Sequence, residues 1–196
     1  MSKLQEYKKK RNFKKTPEPK PKVTRGHKKP IFVIQEHHAS HLHFDFRLEM
    51  QGVLKSWAVP KGPSTDPHVK RLAALTQDHP LDYAIFEGII PQGYGAGTVI
   101  VWDTGTFDNL SKKNDEPITL EQAFEKGHIT FFLDGKKLKG IYSLIRFNAS
   151  DKNWLLIKAD DQFADARANP VRTNPKSVLS TKTIKSLDKI FEKKKS

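Results

Sequence analysis

Leu42-His43-Phe44-Asp45-Phe46-Arg47-Leu48-Glu49 alternates polar and apolar residues with a period of two, the pattern of a half-buried β-strand. Phe44, Phe46 and Leu48 then face a core, and His43, Asp45 and Arg47 share the opposite face. Just upstream lies Gln35-Glu36-His37-His38-Ala39-Ser40-His41, so four of the eight histidines fall within seven residues. A histidine, a carboxylate and a guanidinium on one strand face are costly to bury without a use. The arrangement reads as a metal-and-phosphate site.

Further short strands surround this one. Ile31-Phe32-Val33-Ile34 continues to His37 with Val33, Gln35 and His37 on one face, and residues 38–41 form the loop into the second strand. Gln51-Gly52 suits a tight turn before a third strand, Val53 to Val59. Strands are also predicted at 71–77, 98–102, 129–133, 139–147 and 154–158, with Asp103–Thr106 and Asp134-Gly135 as turns. Thr119 caps a helix over 120–126, with Gln122 at the capping-box position and Gly127 ending it. A short helix fits residues 2–11, and Ile184, Leu187 and Ile190/Phe191 are spaced for an amphipathic basic helix. About eight short strands and few helices predict a mainly β fold, a small closed antiparallel β-barrel with a polar groove. Residues 1–30 form a basic arm packing on the domain, 31–161 the barrel, and 162–196 a basic tail, partly helical or disordered.

Charge divides the chain the same way. Of 35 Lys/Arg in 196 residues, 12 lie in residues 1–29 against 2 acids, and 7 lie in residues 176–196 against 2 acids. The span between is nearly neutral, so the net charge of +13 lives in two arms. Basic arms flanking a neutral domain suit a polyanion bound through its phosphates. With no cysteine, thiolate ligands and disulfides are excluded. No apolar run reaches membrane-spanning length and no signal peptide opens the chain, so a cytoplasmic, nucleoid-associated protein with no membrane partner is expected.

His37, His43 and Asp45 make a two-histidine, one-carboxylate set, which leaves positions open for water and substrate on Zn²⁺, Mn²⁺ or Fe²⁺. By parity His38 and His41 lie in the loop outside that set. Arg47 either grips a phosphate through its guanidinium fork or pairs with Asp45. His79, stiffened by Pro80, is a candidate acid or phosphate ligand, with Tyr83 four residues on. Gly93-Tyr94-Gly95-Ala96-Gly97 lacks the Lys-Ser/Thr ending of a phosphate loop and reads as a turn. Trp57, Trp102 and Trp154 read as core.

Taken together, several stretches resemble one family. They are Gln35-x-His37-x-Ala39-x-x-Leu42-His43-x-Asp45-x-Arg47-Leu48-Glu49, Leu54-Lys55-Ser56-Trp57-Ala58-Val59-Pro60-Lys61-Gly62-Pro63, and Asp78-His79-Pro80-Leu81-Asp82-Tyr83. Phe86-Glu87-Gly88, Tyr94-Gly95-Ala96-Gly97, Val99 to Gly105 and Trp154-Leu155-Leu156-Ile157-Lys158 add to them. In the arm, so do Tyr7 and Lys10-Arg11-x-Phe13-x-x-Thr16-x-Glu18-Pro19. From about Leu4 to Asp161 the chain resembles the phosphoesterase domain of bacterial DNA ligase D.

The resemblance implies a manganese-dependent 3′-end-healing phosphoesterase of nonhomologous end joining. Such domains remove a 3′-terminal ribonucleoside to leave a 3′-phosphate and hydrolyse that phosphate to a 3′-hydroxyl. Carried over by position, His37, His43 and Asp45 hold Mn²⁺ or another divalent metal. Arg47 and a protonated His79 act on the phosphate, and Tyr83 assists. Arg11, Glu18 and Gln35 support the ribonuclease step, with Arg71 a further substrate-binding candidate. The implied partners are DNA 3′ ends (a primer-template with a 3′-phosphate or 3′-ribonucleotide), a separately encoded DNA ligase and end-joining factors. Asn12 and Gln77 stand where the family often carries acids that bear on ribonucleoside removal. A chain of this length has no room for ligase or polymerase domains, so a stand-alone version is expected. The rival reading is a non-catalytic nucleic-acid-binding barrel accessory to end joining. A cupin-like small-molecule enzyme is a third, which leaves the basic arms unexplained.

Overall fold

The structure is a computed structural model that describes residues 3–147 and 151–195; of residues 190–195, which include Ile190 and Phe191, only the backbone is described. Ser2, where the first predicted helix begins, lies outside the described residues. Helix α1 is shorter than predicted, Gln5–Lys9. Then come β1 (Ile31–His38), β2 (Leu42–Met50), β3 (Val53–Val59), β4 (Lys70–Leu75), the two-residue β5 (His79–Pro80), a 3₁₀ turn (Leu81–Ile85) and β6 (Gly88–Ile90). They are followed by the long β7 (Gly97–Asn109), a small hairpin of β8 (Lys112–Lys113) and β9 (Glu116–Pro117), and α2 (Leu120–Lys126). The chain continues with β10 (His128–Gly135), β11 (Lys139–Arg146), β12 (Asn153–Lys158), α3 (Pro170–Thr173) and α4 (Ile184–Lys195).

Pairing runs β1-β2-β3-β4-β12-β11-β10-β7, every pair antiparallel, and β7 returns to β1. Eight strands thus close into the predicted barrel, and closure leaves no edge of that circuit unpaired. Gln51 and Gly52 turn β2 into β3 with φ of 51° and 78°, the two left-handed residues of a type I′ hairpin. Gly52 is required twice over, because a Cβ there would meet the Thr24 carbonyl at 2.1 Å.

Period two decides what fills the barrel. Phe32, Ile34, Phe44, Phe46, Leu48, Trp57, Trp102 and Trp154 join Phe107, Phe131 and Tyr142 in one interior cluster. All three tryptophans are fully buried. The α2 helix, capped by the reciprocal Thr119–Gln122 box, lays Phe124 flat on Trp154 at 5.3 Å and across Trp57.

A second apolar cluster lies outside the barrel wall, on the other face of β1, β3 and β7. Val33, Val53, Leu54, Val99 and Val101 are roofed there by Leu4 and Tyr7 of the arm and by Leu81, Tyr83 and Phe86. The arm is held down by Tyr7 Oη, which donates to the Pro19 carbonyl at 2.6 Å, and by buried Glu49. The Glu49 carboxylate accepts from the backbone N–H groups of His27 and Ile31. At the other end of the chain, Trp102 Nε1 donates to the Asn174 carbonyl and Val178 N to the Val101 carbonyl, seating residues 174–178 on β7.

Two predicted turns are strand instead, and one side chain explains both. Asp103–Thr106 continues β7 without a break, with a register shift against β1 between Ile34 and Gln35. Asp134 and Gly135 pair with Thr106 and Gly105, and the hairpin turns later, at residues 136–138. Asp103 is fully buried, and its carboxylate accepts from the N–H groups of Thr104, Lys137 and Leu138 at 2.9–3.0 Å. A turn-forming residue type here caps a neighbouring hairpin and leaves its own strand running.

Glu36 supplies a test of the barrel end. Burial pushes its carboxyl up to about 7, against the opposing pull of Lys137 and His38. A raised folded value favours the protonated form, so this contribution is intact below about pH 4.5 and lost as pH rises through 7. Glu36→Gln is therefore expected to raise the thermal midpoint at pH 8 and leave it unchanged at pH 4. After discounting for partial exposure the gain is about 1–2 kcal/mol, or roughly 2–8 °C by circular dichroism.

Candidate active site

The polar residues that period two turns away from the barrel interior gather on its outer wall, beside the second apolar cluster. Gln35 and His37 come from β1, His43, Asp45 and Arg47 from β2, and Ser56 from β3. The register places Gln35 opposite Asp45 and His37 opposite His43. His79 and Tyr83 reach the same place from β5 and the 3₁₀ turn, and Arg11 and Glu18 from the arm. A cavity of about 250 Å³ is lined by Arg11, His37, His43, Asp45, His79 and Tyr83, among others.

His37, His43 and Asp45 each present a ligand atom, all within 4.8 Å of one another. Backbone carbonyls orient both rings. His37 Nε2 lies 3.0 Å from the Gly95 carbonyl, and His43 Nδ1 lies 2.9 Å from the His41 carbonyl. A carbonyl can only accept, so those nitrogens carry the protons, and in the neutral rings His37 Nδ1 and His43 Nε2 keep their lone pairs. Those lone pairs face the Asp45 carboxylate, at 3.5 and 3.7 Å. Burial alone raises the Asp45 carboxyl, but Arg47, with His37 and His43, holds it well below the usual carboxylate range. Two lone pairs and a carboxylate, each oriented from behind, are what a divalent cation requires.

Arg47 is the hub behind this set, with a side chain only 3% exposed. Its Nε donates to Gln35 Oε1 at 2.9 Å, Nη1 to Ser56 Oγ at 2.8 Å, and Nη2 to Asp45 Oδ2 at 3.0 Å. Nη1 also lies 2.8 Å from His79 Nδ1. The Asp45 salt bridge is therefore formed, and one Nη2 proton is left over from these contacts. Gln35, fully buried, spends both amide protons on the Tyr83 and Phe86 carbonyls, so it ties Arg47 to the 3₁₀ segment from behind the site.

The expectation of a protonated His79 does not hold. Burial, then the charges of Arg47 and Arg11, push its imidazole well below the ordinary value. Two guanidiniums flanking one buried ring keep it neutral. Tyr83 moves the other way: burial and then the Glu18 carboxylate raise its phenol well above the usual value. It stays protonated and donates to Glu18 Oε1 at 3.0 Å. Arg11 Nε donates to the same oxygen at 2.8 Å, its Nη2 lies 3.4 Å from His79 Nε2, and its guanidinium covers the Tyr7 ring at 3.8 Å. The arm thus completes the cavity wall with a buried Arg11–Glu18 ion pair.

Arg71 is not brought to this place. It shares the β4 face of Ala73, which packs inside the barrel, and its buried Nε lacks a hydrogen-bond partner among the described residues. Asn12 also points elsewhere, with Oδ1 accepting from Lys14 N. Gln77 does line the cavity, and both its amide atoms are buried without partners among the described residues. Sequence reading missed two participants. Ser56, a lone polar residue in an apolar strand, bonds Arg47 and lies 3.2 Å from His79 Nδ1; strand parity with Leu54 was the only signal. The other is the Gly95 carbonyl, and a backbone group has no side-chain signal to read.

Residues 35–146 match a family model described as the DNA Ligase D 3′-phosphoesterase domain. The chain is 51% identical over 188 residues to the multifunctional non-homologous end joining protein LigD of Pseudomonas aeruginosa, covering 92% of this chain and 22% of that protein. It is 46% identical over 166 residues to LigD of Mycobacterium bovis and 44% identical over 163 residues to LigD of Mycolicibacterium smegmatis. Those matches cover 81% and 82% of this chain, and it spans only about a fifth of each of these relatives. The family match takes in more than half of the sequence, including every residue of the metal-ligand set, and the chain belongs to the DNA ligase D 3′-phosphoesterase domain family.

Proposed function

We propose that this protein is a divalent-metal-dependent hydrolase of DNA 3′ ends, converting a 3′-phosphate to a 3′-hydroxyl during non-homologous end joining. The observation that carries the reading is the convergence of His37, His43 and Asp45, two oriented imidazoles and one ionised carboxylate, in a cavity shared with Arg11 and His79. In the net reaction water adds to phosphorus, the P–O3′ bond breaks, and the 3′ oxygen leaves with a proton as inorganic phosphate is released. Mn²⁺, when bound, supplies Lewis acidity toward a phosphoryl oxygen and lowers the pKa of water.

The protein's own groups supply position and charge. Arg47 fixes Asp45 and keeps it ionised, so that ligand is ready across the neutral pH range. Arg11 and the remaining Arg47 proton face the charge that builds on the phosphoryl oxygens. His79, neutral between the two, is able to accept a proton, and an arriving phosphate dianion favours its doing so. Tyr83 stays protonated and holds Glu18, and through it Arg11, in place. A ligase to seal the healed end and DNA with a primer-template junction follow as partners.

Removal of a 3′-terminal ribonucleoside is the second activity of this reading. It draws on Arg11, Glu18 and the partnerless Gln77 amide beside the cavity. With Asn12 and Gln77 in place of acids, a primer-template ending in one ribonucleotide is expected to be processed at least about tenfold more slowly than one ending in a 3′-phosphate, with Mn²⁺ present. Gel analysis of the two substrates side by side checks this. Equal rates would show that the acids are dispensable, and inertness toward both would remove the proposal.

A further inference from the structure

Seven large apolar side chains are exposed among the described residues, and Tyr94, at 49%, is the only aromatic one. It belongs to neither apolar cluster. It stands on the loop between β6 and β7, at a junction of cavities. The 250 Å³ cavity of the metal-ligand set touches it on one side. On another side it borders a cleft of about 510 Å³ lined by Lys3, Lys9, Lys10 and Lys152, which shares Thr76 and Gln77 with the first cavity. A third space of about 360 Å³, with Lys15, also opens onto its ring. Lys10 Nζ sits 4.5 Å over the Tyr94 ring, and the Arg11 guanidinium lies 5.9 Å from it.

An exposed ring beside a phosphate-chemistry cavity, backed by lysines, is the composition of a single-strand platform: every base has a π-face, and the cations follow the backbone. Loop and site are also joined mechanically. Gly95, next in the chain and in the left-handed region at φ 76°, gives its carbonyl to His37 Nε2. A base seated on Tyr94 therefore rests one residue from the group that orients a metal ligand.

We infer that Tyr94 is a stacking platform for the base of the 3′-terminal nucleotide, and that the lysine-lined cleft beyond it takes the phosphates upstream of a single-stranded 3′ end. This rests on the proposed action at DNA 3′ ends. It assigns that action a substrate feature, an unpaired terminal base, through a residue outside the metal-ligand set. Lys10 then moves from the ring to the phosphate 5′ of the stacked base.

The test uses the full chain and a 5′-labelled, single-stranded 3′ overhang ending in a 3′-phosphate, with the terminal nucleotide either base-bearing or abasic. Anisotropy without added metal is expected to show a 5- to 150-fold preference for the base-bearing end, the range of about 1–3 kcal/mol for one stacked base. Tyr94→Ala should bind both ends equally, at the abasic level, and Tyr94→Phe, which keeps the ring, should retain the preference. In turnover with Mn²⁺, Tyr94→Ala should raise KM by a similar factor and leave kcat within about twofold. Equal binding of the two ends by the unsubstituted protein overturns the inference without reference to any variant, as does a preference that survives Tyr94→Ala. A Tyr94-dependent preference without phosphate release would overturn the proposed reaction and keep the platform. Phosphate release without the preference would do the reverse.

Discussion

Asp45→Asn is expected to reduce phosphate release from a 3′-phosphate primer-template by at least about 10³-fold, and His43→Ala to match it. The substitution keeps the size of the side chain and removes the charge that both imidazole lone pairs face. Loss of one of three ligands removes much of the metal affinity, and without the cation the developing charge loses its largest counterweight. Folding is expected to survive, because asparagine can still accept from Arg47 Nη2 through its carbonyl oxygen. The paired measurements are phosphate release and Mn²⁺ affinity by calorimetry. Full turnover by either variant, with the fold intact, would sink the metal assignment.

Arg47→Ala carries the second large effect, and it falls on stability and activity together. Four residues depend on this guanidinium: Gln35, Asp45, Ser56 and His79. Removing it leaves the Asp45 carboxylate buried without its cation, at a cost of about 3–5 kcal/mol. In a chain of this size that lowers the thermal midpoint by roughly 6–20 °C. Arg47→Lys is expected to recover part of the stability and little of the activity, since one ammonium cannot reach four partners set around a planar fork. Asp45 also loses the main influence holding its carboxyl low, so the residual activity should fall off with acid at a higher pH than in the unsubstituted protein. An Arg47→Lys protein with unchanged midpoint and turnover would contradict the hub.

Much of this was legible before any coordinates, because period two is a strict rule in strands. The alternation from Leu42 to Glu49 named both faces of β2, and parity chose His37 and His43 over His38 and His41. The location of the site was not legible. Alternation says that faces differ, yet here both faces of β1 are buried, one by the barrel interior and one by the arm and the 3₁₀ segment. Composition reads Leu4 to Glu18 as a charged tail, and only the resemblance tied Arg11 and Glu18 to the site. Turn residues misled where a side chain serves a distant backbone, as Asp103 serves Lys137 and Leu138. His79 was assigned a proton because an isolated histidine near phosphate chemistry invites one. Its neutrality follows from two arginines that converge only in three dimensions.

The most direct test of the central claim measures inorganic phosphate released from a 3′-phosphate primer-template by metal-stripped protein as Mn²⁺ is added back. The expected result is no release from the stripped protein and a saturable return of activity with Mn²⁺, at a midpoint shifted to higher concentration by Asp45→Asn. Undiminished release in excess chelator, or none at any Mn²⁺ concentration, would contradict a metal-dependent phosphoesterase built on His37, His43 and Asp45.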